Sequence, residues 1–355
     1  MTLLNRTECA VLRGIAIIGI FMHNFLHWMP TMLHENEYNL WPNNVEAFAH
    51  TITHPHLDLP LQLMSFFGHY GVPVFVFLSG YGLYLKYEAD RPAPIPFLYQ
   101  HFCKLFPMML LGFVVFFFVD NITPDTYDWN WGDIIKQLTM TINIFPEPRH
   151  HIWPGPYWFF GLIMQLYLIY IIFMRGRDWK WTVALMVICT ILQATCYEHP
   201  DREPINYMRY NFIGNMVPFG LGWLTAQFKA EEWTEGRGRI MIASIAVISL
   251  LFIFVGSLNF WSWLFVPIAV VIFHVALVKV IAMIPYVGNG LIRLLAWMGA
   301  LSSAIFVCHP TTRKLFIEMA KNGNDAEAII LYVVTTIILA LIFRQILSYL
   351  HHRQR

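Results

Sequence analysis

Apolar positions along this chain come in long unbroken runs rather than in two-residue alternation or a narrow helical stripe. Bounded by charge, proline and glycine, such runs recur at 9–28, 65–85, 102–120, 156–174, 181–197, 210–228, 240–256, 259–281, 291–311 and 326–346. A helix needs about 20 apolar residues to cross about 30 Å of hydrocarbon. The pattern therefore predicts an all-α, polytopic membrane helix bundle of about ten transmembrane helices. Between 120 and 155, the stretch Ile134 to Ile144 is amphipathic and too short to cross, which places it at the interface or packed on the bundle.

Composition agrees with the pattern: 57% of the 355 residues are hydrophobic and only 13% are charged, against about 25% charged in an ordinary soluble domain. Spending most of the chain on spanning helices leaves no room for a separate soluble domain, so 1–355 reads as a single integral membrane domain. The formal charge of +1 provides no field to recruit nucleic acid. Five cysteines lie in or beside the apolar runs, which argues against a disulfide framework. The first run contains Arg13 and no small-residue cleavage site, so it reads as a retained first span.

The distribution of charge sets the orientation. An even number of spans puts both termini on one side, and that side collects sixteen of the 23 Lys and Arg residues, Arg237 and Arg355 among them. Positive residues concentrate on the cytoplasmic face, so both termini are expected there, in a multi-pass protein of the inner or plasma membrane. The 29–64 connection carries no Lys or Arg, four acids and four histidines, and is expected outside.

Titratable groups are costly within hydrocarbon, so those inside the spans are candidates for function. They are Arg13, His23, His27, His69, His274 and His309, with Lys104 and Asp120 near span ends. No Asp or Glu falls mid-span, which removes the carboxylate machinery that ion-coupled carriers use. An arginine and several imidazoles suit different chemistry, in which a cation holds an anionic ligand and a base moves a proton near neutral pH. Taken alone, Arg13 also reads as a side chain snorkelling to headgroups, and His23 as a hydrogen-bonded interior residue.

Five segments in order resemble the acyltransferase-3 family of integral membrane acyltransferases. They are Leu12-Arg13-Gly14-Ile15-Ala16 followed by His23, Gly71 to Tyr81 (GVPVFVFLSGY), Phe102-Cys103-Lys104-Leu105-Phe106-Pro107, Pro156-Tyr157-Trp158-Phe159, and Met298 to Pro310 (MGALSSAIFVCHP). The chain departs from the family in two places. Nine residues separate Arg13 from His23 where the family has ten, which turns His23 about 80° away from Arg13 at about 100° per residue. Asn24 takes the aligned position, and a π-bulge, a substitution by His27 or altered chemistry are the open ways to accommodate the shift. In the third segment the family's first basic positions are Gln100 and His101, which shifts phosphate binding towards Lys104 and Arg91.

The resemblance implies transfer of an acyl group, most often acetyl, from cytoplasmic acyl-CoA to a hydroxyl of an extracytoplasmic or lipid-linked glycan. It implies no tightly bound cofactor, with acetyl-CoA as donor substrate. In that picture Arg13, Lys104 and Arg91 hold the donor's anionic end, and His23 is the general base or, alternatively, an acyl-carrying nucleophile. Asn24, Tyr157 or Trp158 would supply oxyanion donors, with Tyr157, Trp158, His27 and His69 near the acceptor. His309 either orients the acceptor or the base, or caps a helix end before Pro310. Ser79 either packs helices or lines the donor channel, and the aromatic run Trp153 to Trp158 either stacks on a sugar or joins the interfacial belt. His54, His56, His150 and His151 read as loop histidines, so no metal is expected. The rival reading is a translocase or carrier for a glycan or lipid intermediate that performs no acyl transfer.

Overall fold

A computed structural model describes residues 3–229, 238–284 and 287–353; Arg237 and Arg355, counted towards the basic excess above, lie outside them. The described residues form helices and connections without strands. The helices are α1 (Arg6–Leu26), α2 (Pro42–Thr53), α3 (Leu59–Phe67), α4 (Gly71–Tyr87), α5 (Pro94–Ile122), α6 (Trp131–Leu138), α7 (Pro148–His151) and α8 (Trp158–Ile169). They continue as α9 (Trp179–Ala194), α10 (Glu203–Tyr210), α11 (Phe212–Gln227), α12 (Arg239–Gly256), α13 (Phe260–Trp263), α14 (Val266–Ala282), α15 (Val287–Lys321) and α16 (Asp325–Arg353).

Among the described residues, seven membrane spans follow from length and apolarity: Arg6–Leu26, Leu59–Tyr87, Pro94–Ile122, Gly155–Met174, Arg239–Gly256, Gly288–Lys321 and Asp325–Tyr349. Trp179–Ala194 and Val266–Ala282 are apolar but shorter. Several elements outrun their apolar windows, because backbone hydrogen bonding does not stop where hydrocarbon does. The third starts at Pro94 rather than 102, and α15 runs ten residues past 311, straight through Pro310. The stretch 134–144 is short, as expected, and splits into α6 and a single 3-10 turn at Ile142–Ile144.

The α1 helix is the centre of the bundle. Its start is fixed by a capping box, with Asn5 Oδ1 accepting from the Glu8 amide at 2.9 Å and the Glu8 carboxylate accepting from the Asn5 amide at 2.8 Å. Lys279 Nζ then reaches both Glu8 and the Leu3 carbonyl at 2.6 Å, tying the start of α1 to the end of α14. Against α15 the backbones nearly touch: a methyl group on Gly299 would collide with the Ala10 carbonyl, and one on Gly14 with that of Leu295. Small residues permit this approach, and close packing takes the place of the hydrophobic drive that lipid cannot provide.

The 29–64 connection is more than a loop. After α1 it folds back over the bundle's end and is pinned there by side chains from distant elements. From α3, Gln62 binds the Leu33 amide at 2.8 Å and the Thr31 carbonyl at 2.9 Å, and Ser65 Oγ donates to Leu33 O at 2.6 Å. Trp263 Nε1 donates to Asn36 O at 3.0 Å, and Asn206 Nδ2 donates to Asn39 Oδ1 at 2.7 Å. These bonds place Glu35, Glu37 and Tyr38 against the end of α1.

Candidate functional site

His23, in the last turn of α1, and His27, its C-cap, share a face four residues apart. Their rings stack at 4.5 Å and 17°, and His69, from the 3-10 turn between α3 and α4, meets His23 edge-on at 5.3 Å. His23 Nδ1 lies 2.6 Å from the Ser65 carbonyl oxygen, and His27 Nδ1 lies 2.7 Å from that of His23. A carbonyl only accepts, so each Nδ1 carries the proton and each Nε2 keeps its lone pair. No π-bulge is needed to bring His23 in: α1 is regular throughout, and His23 is buried beside the cavity it lines.

That cavity, about 360 Å³, is lined by His23, Asn24, His27 and His69 with Glu35, Glu37, Trp158 and Arg313. The carboxylates missing from the spans therefore arrive from the folded-back connection. Glu37 Oε2 stands 4.0 Å from His23 Nε2. Burial and the neighbouring Glu35 charge push the Glu37 carboxyl well above the usual carboxylate range. Tyr38 stacks flat on Tyr210 at 4.0 Å, and Trp158 meets both edge-on, forming an aromatic wall. Trp28 and Trp41 line the same cavity and are 42% and 39% exposed, so it reaches the surface at this end.

Arg313 completes the wall, and Arg209 lines a small pocket beside Glu37 and Tyr38. Arg313 is buried on α15, donates from Nη1 to Asn24 Oδ1 at 3.0 Å and lies 4.8 Å over the Trp28 ring. Next to it Lys314 pairs with the buried Asp120 at 3.0 Å, and Asp120 also accepts from Trp129 and Trp153, which fixes the Trp153 ring beside Arg313. Arg209 lies 3.7 Å over Trp263; burial pulls its guanidinium down to about 10, so it stays charged at neutral pH.

A second, more apolar cavity of about 300 Å³ lies towards the end of the bundle that holds the N-terminus. Ser302, Ser303, Met108 and Leu347 line it, and Lys104 is its cation. Ile20, Phe159 and Phe306 belong to both cavities, so a wall of three side chains separates them.

The remaining predicted residues are placed differently. Arg13 and Arg91 are exposed, Arg91 pairing with Glu88 at 2.6 Å, and neither lines either cavity. Ser79 Oγ donates to Phe75 O at 2.9 Å within its own helix. Tyr157 is fully buried away from both cavities, its hydroxyl donating to Val307 O at 2.8 Å, a helix-packing contact rather than an acceptor contact. His309 caps no helix end, because α15 continues through Pro310. Its Nδ1 faces Ile305 O at 3.1 Å, while its buried Nε2 has no hydrogen-bond partner among the described residues. Glu35, Glu37, Tyr38, Arg209, Tyr210 and Arg313 were not singled out from the sequence. The signal for three of them was the polar run His34-Glu35-Asn36-Glu37-Tyr38-Asn39, which lacks any Lys or Arg.

Comparison with known proteins adds one finding. A family model described as an acyltransferase domain matches residues 9–345. No curated protein and no solved structure matches the chain.

Proposed function

The chain belongs to the acyltransferase-3 family and is a membrane acyltransferase, and from that premise we propose that it moves an acyl group, acetyl in the simplest case, from acyl-CoA to a hydroxyl of a glycan or lipid-linked saccharide. The observation that carries this reading is the pairing of the two cavities across Ile20, Phe159 and Phe306. One is apolar, with Lys104 as its cation, and matches a pantetheine arm with its anionic nucleotide. The other is polar and walled by aromatic rings, and matches a saccharide.

The donor enters from the cytoplasmic end, where Lys104 lines the channel and Arg13 and Arg91 add positive charge to the rim. Its thioester comes to rest at the wall between the cavities. The acceptor enters from the opposite side against Tyr38, Tyr210 and Trp158. His23 Nε2 takes the hydroxyl proton as the acceptor oxygen attacks the thioester carbonyl. Glu37 faces the imidazolium that forms. Arg313 and the Asn24 amide that it orients face the negative charge developing on the carbonyl oxygen. Collapse breaks the C–S bond, and the departing thiolate recovers the proton from His23.

The proposed reaction takes both termini as cytoplasmic and counts α9, α11 and α14 with the seven longer spans as ten crossings. The test is transfer of labelled acetyl from acetyl-CoA to a cell-envelope fraction by vesicles carrying the protein. Labelled acceptor is the expected result; vesicles that move a saccharide intermediate across the membrane without acylating it would overturn the reading in favour of a carrier.

A further inference from the structure

The outer cavity brings together three metal-ligating side chains. One ring nitrogen each from His23 and His27 and a carboxylate oxygen of Glu35 all lie within 4.8 Å of one another. The two histidines offer Nε2, because both Nδ1 atoms already donate to main-chain carbonyls at 2.6 and 2.7 Å. A metal-bound imidazole is held in this way, its remote nitrogen tied to backbone so that tautomer and ring orientation are set in advance. Ser65, which supplies one of those carbonyls, is itself anchored through Oγ to Leu33, so the support extends beyond the ligands.

We propose that His23, His27 and Glu35 form a binding site for a divalent transition-metal cation, Zn²⁺ in particular, and that an ion held there switches off acyl transfer by occupying His23 Nε2. The second half rests on His23 acting as the base, as argued above. Two imidazoles with one carboxylate suit Zn²⁺, whereas Mg²⁺ and Ca²⁺ favour all-oxygen sets. A tetrahedral ion with bonds of about 2.0–2.2 Å holds its donors about 3.4 Å apart, so the triad must contract by about 1.4 Å at its widest. Glu35 belongs to the connection between α1 and α2 and His27 is the C-cap of α1, so closing the gap calls for movement at the end of α1 and in the connection after it. The fourth position faces the cavity, where Glu37 stands 4.0 Å from His23 Nε2. Glu35 offsets part of the positive charge that Arg313 brings to the same cavity.

The experiment titrates the purified full-length chain, stripped with a chelator in detergent, with Co²⁺ and then Zn²⁺. One equivalent of Co²⁺ should give the visible absorption of a low-coordinate nitrogen and oxygen site, and Zn²⁺ should displace it. Glu35→Gln and His27→Gln should each weaken Co²⁺ binding at least tenfold, while Glu46→Gln leaves it unchanged. In the acetyl-transfer assay Zn²⁺ should lower the wild-type rate, a chelator should restore it, and Glu35→Gln should raise the Zn²⁺ needed for half inhibition by the same factor. Absence of a stoichiometric Co²⁺ signal, or full affinity in both variants, overturns the site. Metal binding that leaves the rate unchanged or raises it overturns the inhibitory role. Should His23→Ala still turn over, the base assignment falls, and the Co²⁺ titration decides the site independently.

Discussion

The Nδ1–H of His23 donates to the carbonyl oxygen of Ser65, 42 positions further along the chain, at 2.6 Å. A bond from the last turn of α1 to α3 thereby sets the tautomer of the central imidazole and leaves Nε2 as its one basic atom. Replacing His23 with Ala should reduce acetyl transfer by about 10²–10⁴-fold, the usual worth of a positioned general base. Folding and CoA binding should persist, because the apolar cavity proposed for the donor lies on the other side of Ile20. Labelled-acetyl turnover beside CoA titration checks both halves, and undiminished turnover would remove His23 from the chemistry.

Lys104 lines the apolar cavity proposed to take the donor, and Arg13 is exposed on α1. A charge-assisted contact to phosphate is worth about 1.5–3 kcal/mol. We expect Lys104→Ala to raise the apparent KM for acetyl-CoA about tenfold with kcat nearly unchanged, and Arg13→Ala to act in the same direction. A fall in kcat at unaltered KM would place these cations elsewhere in the cycle.

Arg313 holds Asn24 at 3.0 Å and lines the polar cavity proposed to take the acceptor, so its effect should appear in the chemical step. For Arg313→Gln we expect kcat to drop by about 10²–10³-fold, the scale seen when one donor to a developing oxyanion is lost. CoA affinity should hold. Equal losses in CoA binding and turnover would point to a structural fault instead.

Glu37 should give the protein a measurable pH signature. Burial, reinforced by Glu35, raises its carboxyl well above the ordinary 4.5, so the folded state holds this proton more tightly than the unfolded chain. Its contribution to stability is complete below about pH 4.5 and is lost as pH rises through the folded value. Melting temperature in detergent should therefore fall with rising pH more steeply for wild type than for Glu37→Gln. Parallel curves would show that Glu37 is ionised in the fold.

The Gly14 and Gly299 crossing is the tightest seam around α1. Gly299→Ala would drive a methyl group into the Ala10 carbonyl and should cost about 1–3 kcal/mol, as overpacking does in well-packed interiors. A lowered thermal midpoint in detergent is the readout; an unchanged one would mean that α15 can slide along α1 without loss.

Much of this protein could be read from its sequence. Long apolar runs are a local property, and each sufficed to identify an apolar helix, because a backbone in hydrocarbon must satisfy its own hydrogen bonds. The short motifs sufficed for the family, and His23, Asn24, His27, His69 and Trp158 were singled out and do line one cavity. Other features depended on contacts across the chain. Glu35 and Glu37 look like loop acids until Gln62, Ser65, Trp263 and Asn206 fold their segment over the bundle. Arg313 looks like a residue beyond a span until α15 continues through Pro310, and Tyr157 looks available until Val307 takes its hydroxyl. The sequence by itself determined which segments are helical and apolar, since that follows from composition over about 20 neighbouring residues. Only the tertiary structure decided which polar groups share a cavity, because burial of a charge or an imidazole is settled by partners that lie tens to hundreds of positions away.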